Sequence, residues 1–362
     1  QRAMIYSKSN KHEEAIDTLR KTLSFIDDPI DIWSMIGMEY LYLDDFENAR
    51  LNFANCIDVD YEDYSSLYNI VYCFDMESKH EDAILYLNKY IDKNPFCEVA
   101  WHQVGKQYFD LKKYTKALAA YDFAIISDDT FIGAYFEKGK VLEKLGRYNE
   151  AIENYQITLG LDDPTSFAYL RMGKCYQKLH CDDLAIEFFL KTVKEDPLLD
   201  KGWIAITDFY TKKMDYQNAL YYINKAINID GENVLYWKRY AKINNRLKFY
   251  EEAERGYRKT LELGNYELDT WLTRCDILIY LGEYEAAVTN LFEAIEFYPE
   301  SPQIEFRLAG LYFSLNQDEK GYFHLENALR LEPDYDIILE ELFPFVYAKR
   351  SVLKKIKKAK KS

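Results

Sequence analysis

Glycine and proline are scarce, at 14 and 8 of 362 residues. Sandwiches and barrels need many such turn formers, so their rarity beside 33 Tyr and 21 Phe favours long helices packed through large side chains. Cysteine is also sparse. The six, at 56, 73, 97, 175, 181 and 275, form no C-x-x-C pair and are too dilute for a disulfide-stapled fold, which points to a reducing, cytoplasmic setting. No run of about 18 apolar residues exists to span a bilayer, and no Asn-x-Ser/Thr acceptor is present. The five histidines, His12, His80, His102, His180 and His324, are never three or four residues apart, so no helix offers a metal-binding pair.

Net charge is −15, which disfavours the body of the chain as a nucleic-acid binder. One segment departs from this. From Lys349 to Ser362 there are eight basic and no acidic residues, leaving 38 basic against 61 acidic groups elsewhere, a net of −23.

What the sequence does contain is a repeat. Ala15, Ala49, Ala83, Ala117, Ala151, Ala185, Ala219, Ala253 and Ala287 recur every 34 residues, Gly321 continues the series, and no insertion breaks the phase. All five tryptophans, Trp33, Trp101, Trp203, Trp237 and Trp271, share one column with Leu67, Tyr135 and Tyr169. Four residues on stands a small residue (Gly37, Val71, Gly105, Gly139, Gly173, Thr207, Ala241, Cys275, Ala309), and three further on, in most repeats, an aromatic such as Tyr40, Tyr108 or Tyr176. Spacings of three, four and seven describe one face of a helix. After each Ala a large residue follows at four and a small one at seven, as with Tyr121 and Ala124, which predicts a second helix. Pro95, Pro197, Pro299 and Pro333, or Asp129, Asp163, Gly231 and Asn265, stop that helix, and Leu145-Gly146 and Leu281-Gly282 supply turns inside the hairpins. Small residues admit a close neighbour, large ones fill the groove, and only a stack of such hairpins buries its apolar faces.

These columns resemble the tetratricopeptide repeat family over residues 1 to 335. The resemblance implies an all-α fold, a right-handed α-solenoid of stacked antiparallel helix pairs. Full repeats are expected at 30–63, 64–97, 98–131, 132–165, 166–199, 200–233, 234–267, 268–301 and 302–335, with a partial repeat at 1–29, a capping helix at 336–348 and a basic tail at 349–362. The chain opens with Gln1 inside a repeat, so a piece of a longer array is expected, with the helix around Glu13 to Ile26 short of a partner. Pro344 is expected to kink or restart the cap, and Val352, Leu353, Ile356 and Ala359 fall on one helical face of the tail.

No catalytic apparatus emerges. Gly133-x5-Gly139-Lys140-Val141 has one spacer too many for a phosphate loop, lacks the following Ser or Thr, and lies where the repeat demands a helix. Cys56, Cys73, Cys175 and Cys275 occupy packing columns. The expectation is a non-enzymatic scaffold or adaptor with no cofactor, no metal and no small-molecule substrate.

The resemblance further implies that the second, fifth, ninth, twelfth and thirteenth positions of each repeat line a concave groove. At its start that lining is Ser34, Met38, Leu41, Tyr42, Tyr68, Tyr72 and Met76, aromatic and soft. Further along, Lys106, Lys140, Lys174 and Lys242 at the ninth position, with Lys144, Lys178, Lys212 and Arg246 at the thirteenth, form a basic lane interrupted by Asp110, Glu143, Asp208 and Asp276. An acidic or carboxylate-bearing segment of a protein partner is expected there, with Phe136, Phe167 and Leu170 adding apolar contact. No repeat has the ninth-position Asn by which some relatives clamp the acidic tail of heat-shock chaperones, so that partner is disfavoured. Two alternatives remain open: a targeting factor whose tail adheres to anionic lipid or RNA, against a tail that is merely a frayed, solubilising end, and an accessory region of a larger enzyme.

Overall fold

The computed structural model describes residues 2–161 and 165–361. Among these every regular element is a helix and no strand occurs. The hairpins of the first compact unit, which runs to Phe188, are α1 (Arg2–Lys8) with α2 (His12–Leu23), α3 (Ile30–Tyr42) with α4 (Phe46–Val59), α5 (Tyr64–Met76) with α6 (His80–Lys93), α7 (Glu98–Asp110) with α8 (Tyr114–Ser127), and α9 (Ile132–Lys144) with α10 (Tyr148–Leu161). Then come α11 (Ser166–Lys178) and α12 (Asp182–Glu195). The second unit, from Phe189, contains α13 (Asp200–Lys212) with α14 (Tyr216–Ile229), α15 (Val234–Arg246) with α16 (Tyr250–Glu262), α17 (Leu268–Leu281) with α18 (Tyr284–Ile295), and α19 (Pro302–Ser314) with α20 (Asp318–Leu331). A 3-10 turn at Pro333–Asp336 leads to α21 (Ile337–Leu342), α22 (Pro344–Tyr347) and α23 (Arg350–Ala359). Each unit is a stack of helix pairs, an α-solenoid, in which consecutive helices pack on one another from α1 to α11 in the first and from α13 to α20 in the second.

From α3 to α19 the first helices of the hairpins begin 34 residues apart, and the column chemistry explains why they pack. The nine periodic alanines from Ala15 to Ala287 are all fully buried. Gly105 lies flat against Tyr121, where an added Cβ would meet the ring at 2.5 Å, and Gly139 meets Tyr155 the same way at 2.6 Å. Any larger residue there forces the aromatic out of its slot, at a cost of about 1–3 kcal/mol. The Trp column has a polar task as well. The indole N–H of Trp101 donates to the Pro95 carbonyl at 2.8 Å, Trp203 to Pro197 at 2.9 Å and Trp237 to Gly231 at 2.8 Å, so each ties its own helix to the helix stop of the preceding repeat. Asp163, expected as one such stop, lies outside the described residues.

The turn inside each hairpin takes a left-handed residue at the same phase. Only at Gly146 and Gly282 is it the glycine that the sequence marks; Asn10, Asp44, Ser78, Lys112, His180, Met214, Lys248 and Asn316 adopt φ of 56–62° with a side chain attached. Neighbouring packing therefore overrides the local preference for glycine.

Two end regions differ from a simple reading of the sequence. Helix α2 stops at Leu23 and packs on α1, a short partner of seven residues. At the other end the basic segment is no frayed tail. Its Val352 and Ile356 are buried with Leu325, Ala328, Leu339 and Val346, while Lys360 pairs with Asp336 at 2.7 Å, Lys349 with Asp318 at 3.5 Å, and Lys355 with Glu326. Burying two aliphatic side chains is worth about 3–6 kcal/mol, enough to hold the ten residues of α23 in place.

Candidate partner-binding site

Helix periodicity puts residues four apart on one face, so Lys140 and Lys144 project together from α9, and Lys174 and Lys178 from α11. These four lysines, with Arg171, Phe109, Tyr148, Cys175 and Gln177, line a cleft of about 550 Å³ in the first unit. Its one lining carboxylate, Glu143, is already engaged: it accepts from the Tyr155 hydroxyl at 2.6 Å and from the Arg171 guanidinium at 3.3 Å. Lys140 reaches Glu137 at 2.7 Å and lies 5.8 Å from the Phe109 ring centre. Lys144 and Lys178 are exposed and have no ion pair among the described residues. Lys144 and Lys178 therefore present positive charge that no acid among the described residues pairs. The Cys175 thiol in the cleft lining is pushed up to about 12, first by burial and then by Glu143, so it stays protonated at neutral pH.

The other expected lining residues are distributed more widely. Lys106, exposed on α7, pairs with Asp75 at 3.5 Å. Met38 and Tyr42 line a separate cavity of about 270 Å³ with Ala3, Met4 and Leu19, and Tyr42 stacks on His12 at 5.0 Å. Tyr68 and Tyr72 are half-exposed on α5 and do not line that cavity. Phe167 is half-exposed, but Leu170 is buried and Phe136 packs on Tyr155 at 5.4 Å, so these two serve the core and not the surface expected of them. Lys212, Lys242 and Arg246 stand exposed on α13 and α15 of the second unit, apart from the residues that line the cleft. The phosphate-loop look-alike from Gly133 to Val141 is continuous helix within α9.

Sequence reasoning missed Arg171. It occupies the sixth position of its repeat, outside the five groove positions carried over from the family. A signal was nevertheless present. Arg239 and Arg307 share that sixth position, and each grips the ninth-position Asp one repeat earlier: Arg239 holds Asp208 at 2.9 and 3.2 Å, and Arg307 holds Asp276 at 2.6 and 2.9 Å. Before Arg171 that ninth position is Lys140, so the guanidinium turns to Glu143 instead. Also unforeseen is His102 on α7, whose two ring nitrogens, like the Tyr121 hydroxyl, are buried without a hydrogen-bond partner among the described residues.

 Burial holds the His102 imidazole down, to about 4, with Glu137, Lys106 and Lys140 as the nearby charges. Among the described residues no three His, Cys, Asp or Glu side chains gather as a metal site.

Family models of the tetratricopeptide repeat match residues 34–96 and, separately, residues 1–26 and 132–156. The chain carries tetratricopeptide repeats. Proteins of this family are in general non-catalytic scaffolds for protein–protein interaction. Among solved structures, this tetratricopeptide repeat chain is similar to the APC/C heterotetramer Cut9–Hcn1, with 17% identity and a TM-score of 0.47. That match covers 84% of this chain and 59% of the other, so the chain spans little more than half the length of that relative. It is also similar to a tetratricopeptide repeat protein from Parabacteroides merdae (15% identity, 67% of this chain and 95% of that one, TM-score 0.49). A third similar structure is YrrB, described as a TPR protein with an unusual peptide-binding site (17% identity, 49% of this chain and 92% of that one, TM-score 0.40). No curated protein matches the chain in sequence. Among the described residues no helix is long and apolar enough to cross a membrane.

Proposed function

We propose that the protein is a non-enzymatic adaptor that holds an acidic segment of a protein partner in the cleft between α9 and α11. The observation that carries this reading is the lining itself: Lys140, Lys144, Arg171, Lys174 and Lys178 surround one carboxylate that is already bonded twice. Phe109 and Tyr148 add apolar wall, so an aspartate- or glutamate-rich stretch with an occasional apolar side chain fits its chemistry. Each partly exposed ion pair contributes about 0.2–1 kcal/mol, so several together support a salt-sensitive affinity near the micromolar range. The six cysteines are all free thiols, five of them buried, and we place the protein in a reducing, cytoplasmic compartment on that account.

The test uses a fluorescein-labelled oligoglutamate peptide and the polarisation of its emission. Binding should be measurable at low salt and lost as salt rises. Lys144→Glu, Lys174→Glu and Lys178→Glu combined should weaken it at least about tenfold while leaving the melting temperature in place. Equal binding by the triple variant would remove the cleft from consideration.

A further inference from the structure

The cleft leaves the second conspicuous concentration of positive charge, on α23, without a role. At 3.6 residues per turn, Arg350, Lys354, Lys357 and Lys358 fall within an arc of about 100°, centred opposite the buried Val352 and Ile356. All four are exposed, and none has an ion pair among the described residues. The cations that flank this arc behave differently: Lys355 is held by Glu326, and Lys360 by Asp336 at 2.7 Å. The helix is thus pinned by its apolar face and its edges, and its outward face is purely cationic. On α22, which packs against α23, Phe345 is 91% exposed.

We propose that α23 and Phe345 form a docking face for an anionic lipid surface. A preformed row of ammonium groups loses little entropy on meeting lipid phosphates and carboxylates, and an exposed phenyl ring on the adjoining helix can enter the headgroup boundary. The apolar side of α23 is committed to the protein core, so the contact is peripheral and reversible rather than an inserted helix. The outward arc carries no Asn or Gln side chain that reads a base edge, and Phe345 is a single ring with no second aromatic on α23 to stack successive bases, which favours a headgroup layer over a nucleic acid. Each basic group at an anionic leaflet is worth about fivefold in partitioning, and salt screens the effect. This inference is independent of partner docking in the cleft.

Vesicle co-sedimentation tests it, with phosphatidylcholine alone, phosphatidylcholine containing phosphatidylserine, and an oligouridine RNA as competitor. The protein should sediment with the anionic vesicles and not with the neutral ones. Lys354→Glu, Lys357→Glu and Lys358→Glu combined should lower that partitioning on the order of a hundredfold without moving the melting temperature, and Phe345→Ala should lower it by a few-fold. The triple variant of the cleft should sediment as the unaltered protein does, which separates the two surfaces. Equal sedimentation with neutral vesicles, undiminished binding by the α23 variant, or displacement by the RNA at lower concentration than by lipid would overturn the proposal.

Discussion

Arg171 in the first unit and Arg239 and Arg307 in the second sit at the same place in their repeats, yet their surroundings are opposite. In the second unit the ninth position of the preceding repeat is Asp208 or Asp276, and the guanidinium is neutralised where it stands. In the first it is Lys140, so charge accumulates until the cleft holds five cations around one acid. The backbone plan is the same in both places. The ninth-position residue differs between the two, and on the proposed reading it is what leaves one junction open to an anion and closes the others, so the way to probe this is to change that residue.

The largest effect is expected where the closed arrangement is broken. Arg307 is 8% exposed, and Asp276→Ala strands its charge, which should cost about 3–5 kcal/mol in urea unfolding. A loss below about 1 kcal/mol would mean that Glu341 or solvent takes over the guanidinium and that the pair is not what closes the junction.

Acid should distinguish the units next. His102 has a folded pKa of about 4, below its ordinary 6.5, because burial among Tyr121 and Phe131 opposes the charged ring; Glu137 favours that charge, while Lys106 and Lys140 oppose it. The unfolded chain therefore takes up the proton first as pH falls. Stability is unaffected above the unfolded value and declines between pH 6.5 and 4, by about 2 kcal/mol at pH 5. In His102→Phe that part of the slope should vanish, and persistence of the full slope would assign it to other groups.

Lys140→Asp would convert the open junction into the closed kind. Arg171 would gain the carboxylate that Arg239 and Arg307 have, the cleft would lose two units of positive charge, and oligoglutamate affinity should fall about tenfold with the melting temperature held or raised. The smallest effect concerns the hairpin turns. Met214 adopts φ of +59°, where a side chain costs about 1 kcal/mol, so Met214→Gly should stabilise by a few tenths of that, while Gly146→Met should destabilise by about 1 kcal/mol in thermal unfolding.

The fold was legible because its code is steric. Ala117, Gly105 and Tyr121 have one job each, and substitution in those columns is limited by contact distance, so the periodicity survives in the sequence. The cleft was half legible. Lys140 with Lys144 and Lys174 with Lys178 stand at helical spacing, but the sixth position of Arg171 was not among the groove positions considered. The apolar residues assigned to the surface show the limit of column reading: Leu170 and Phe136 lie near the groove in sequence phase, yet Leu170 is buried and Phe136 packs on Tyr155, because large apolar side chains gain by packing inward. The tail is half legible: Val352 and Ile356 lie on the helical face that the spacing marks, but its eight basic residues leave a frayed end equally open until those two aliphatic side chains, one turn apart, are seen docked on the last hairpin.

The indole bonds across repeat junctions make the protein its own strain gauge. Trp101, Trp203 and Trp237 each donate to the stop directly before their helix, so separation of a junction must free that N–H to water and redden the emission of that tryptophan alone. Trp271 has no such acceptor among the described residues and rests on Tyr266 and Phe297, so its light should respond to ring stacking instead. Single-tryptophan versions of the chain would then report loosening joint by joint, and show whether a bound partner stiffens only the repeats it touches.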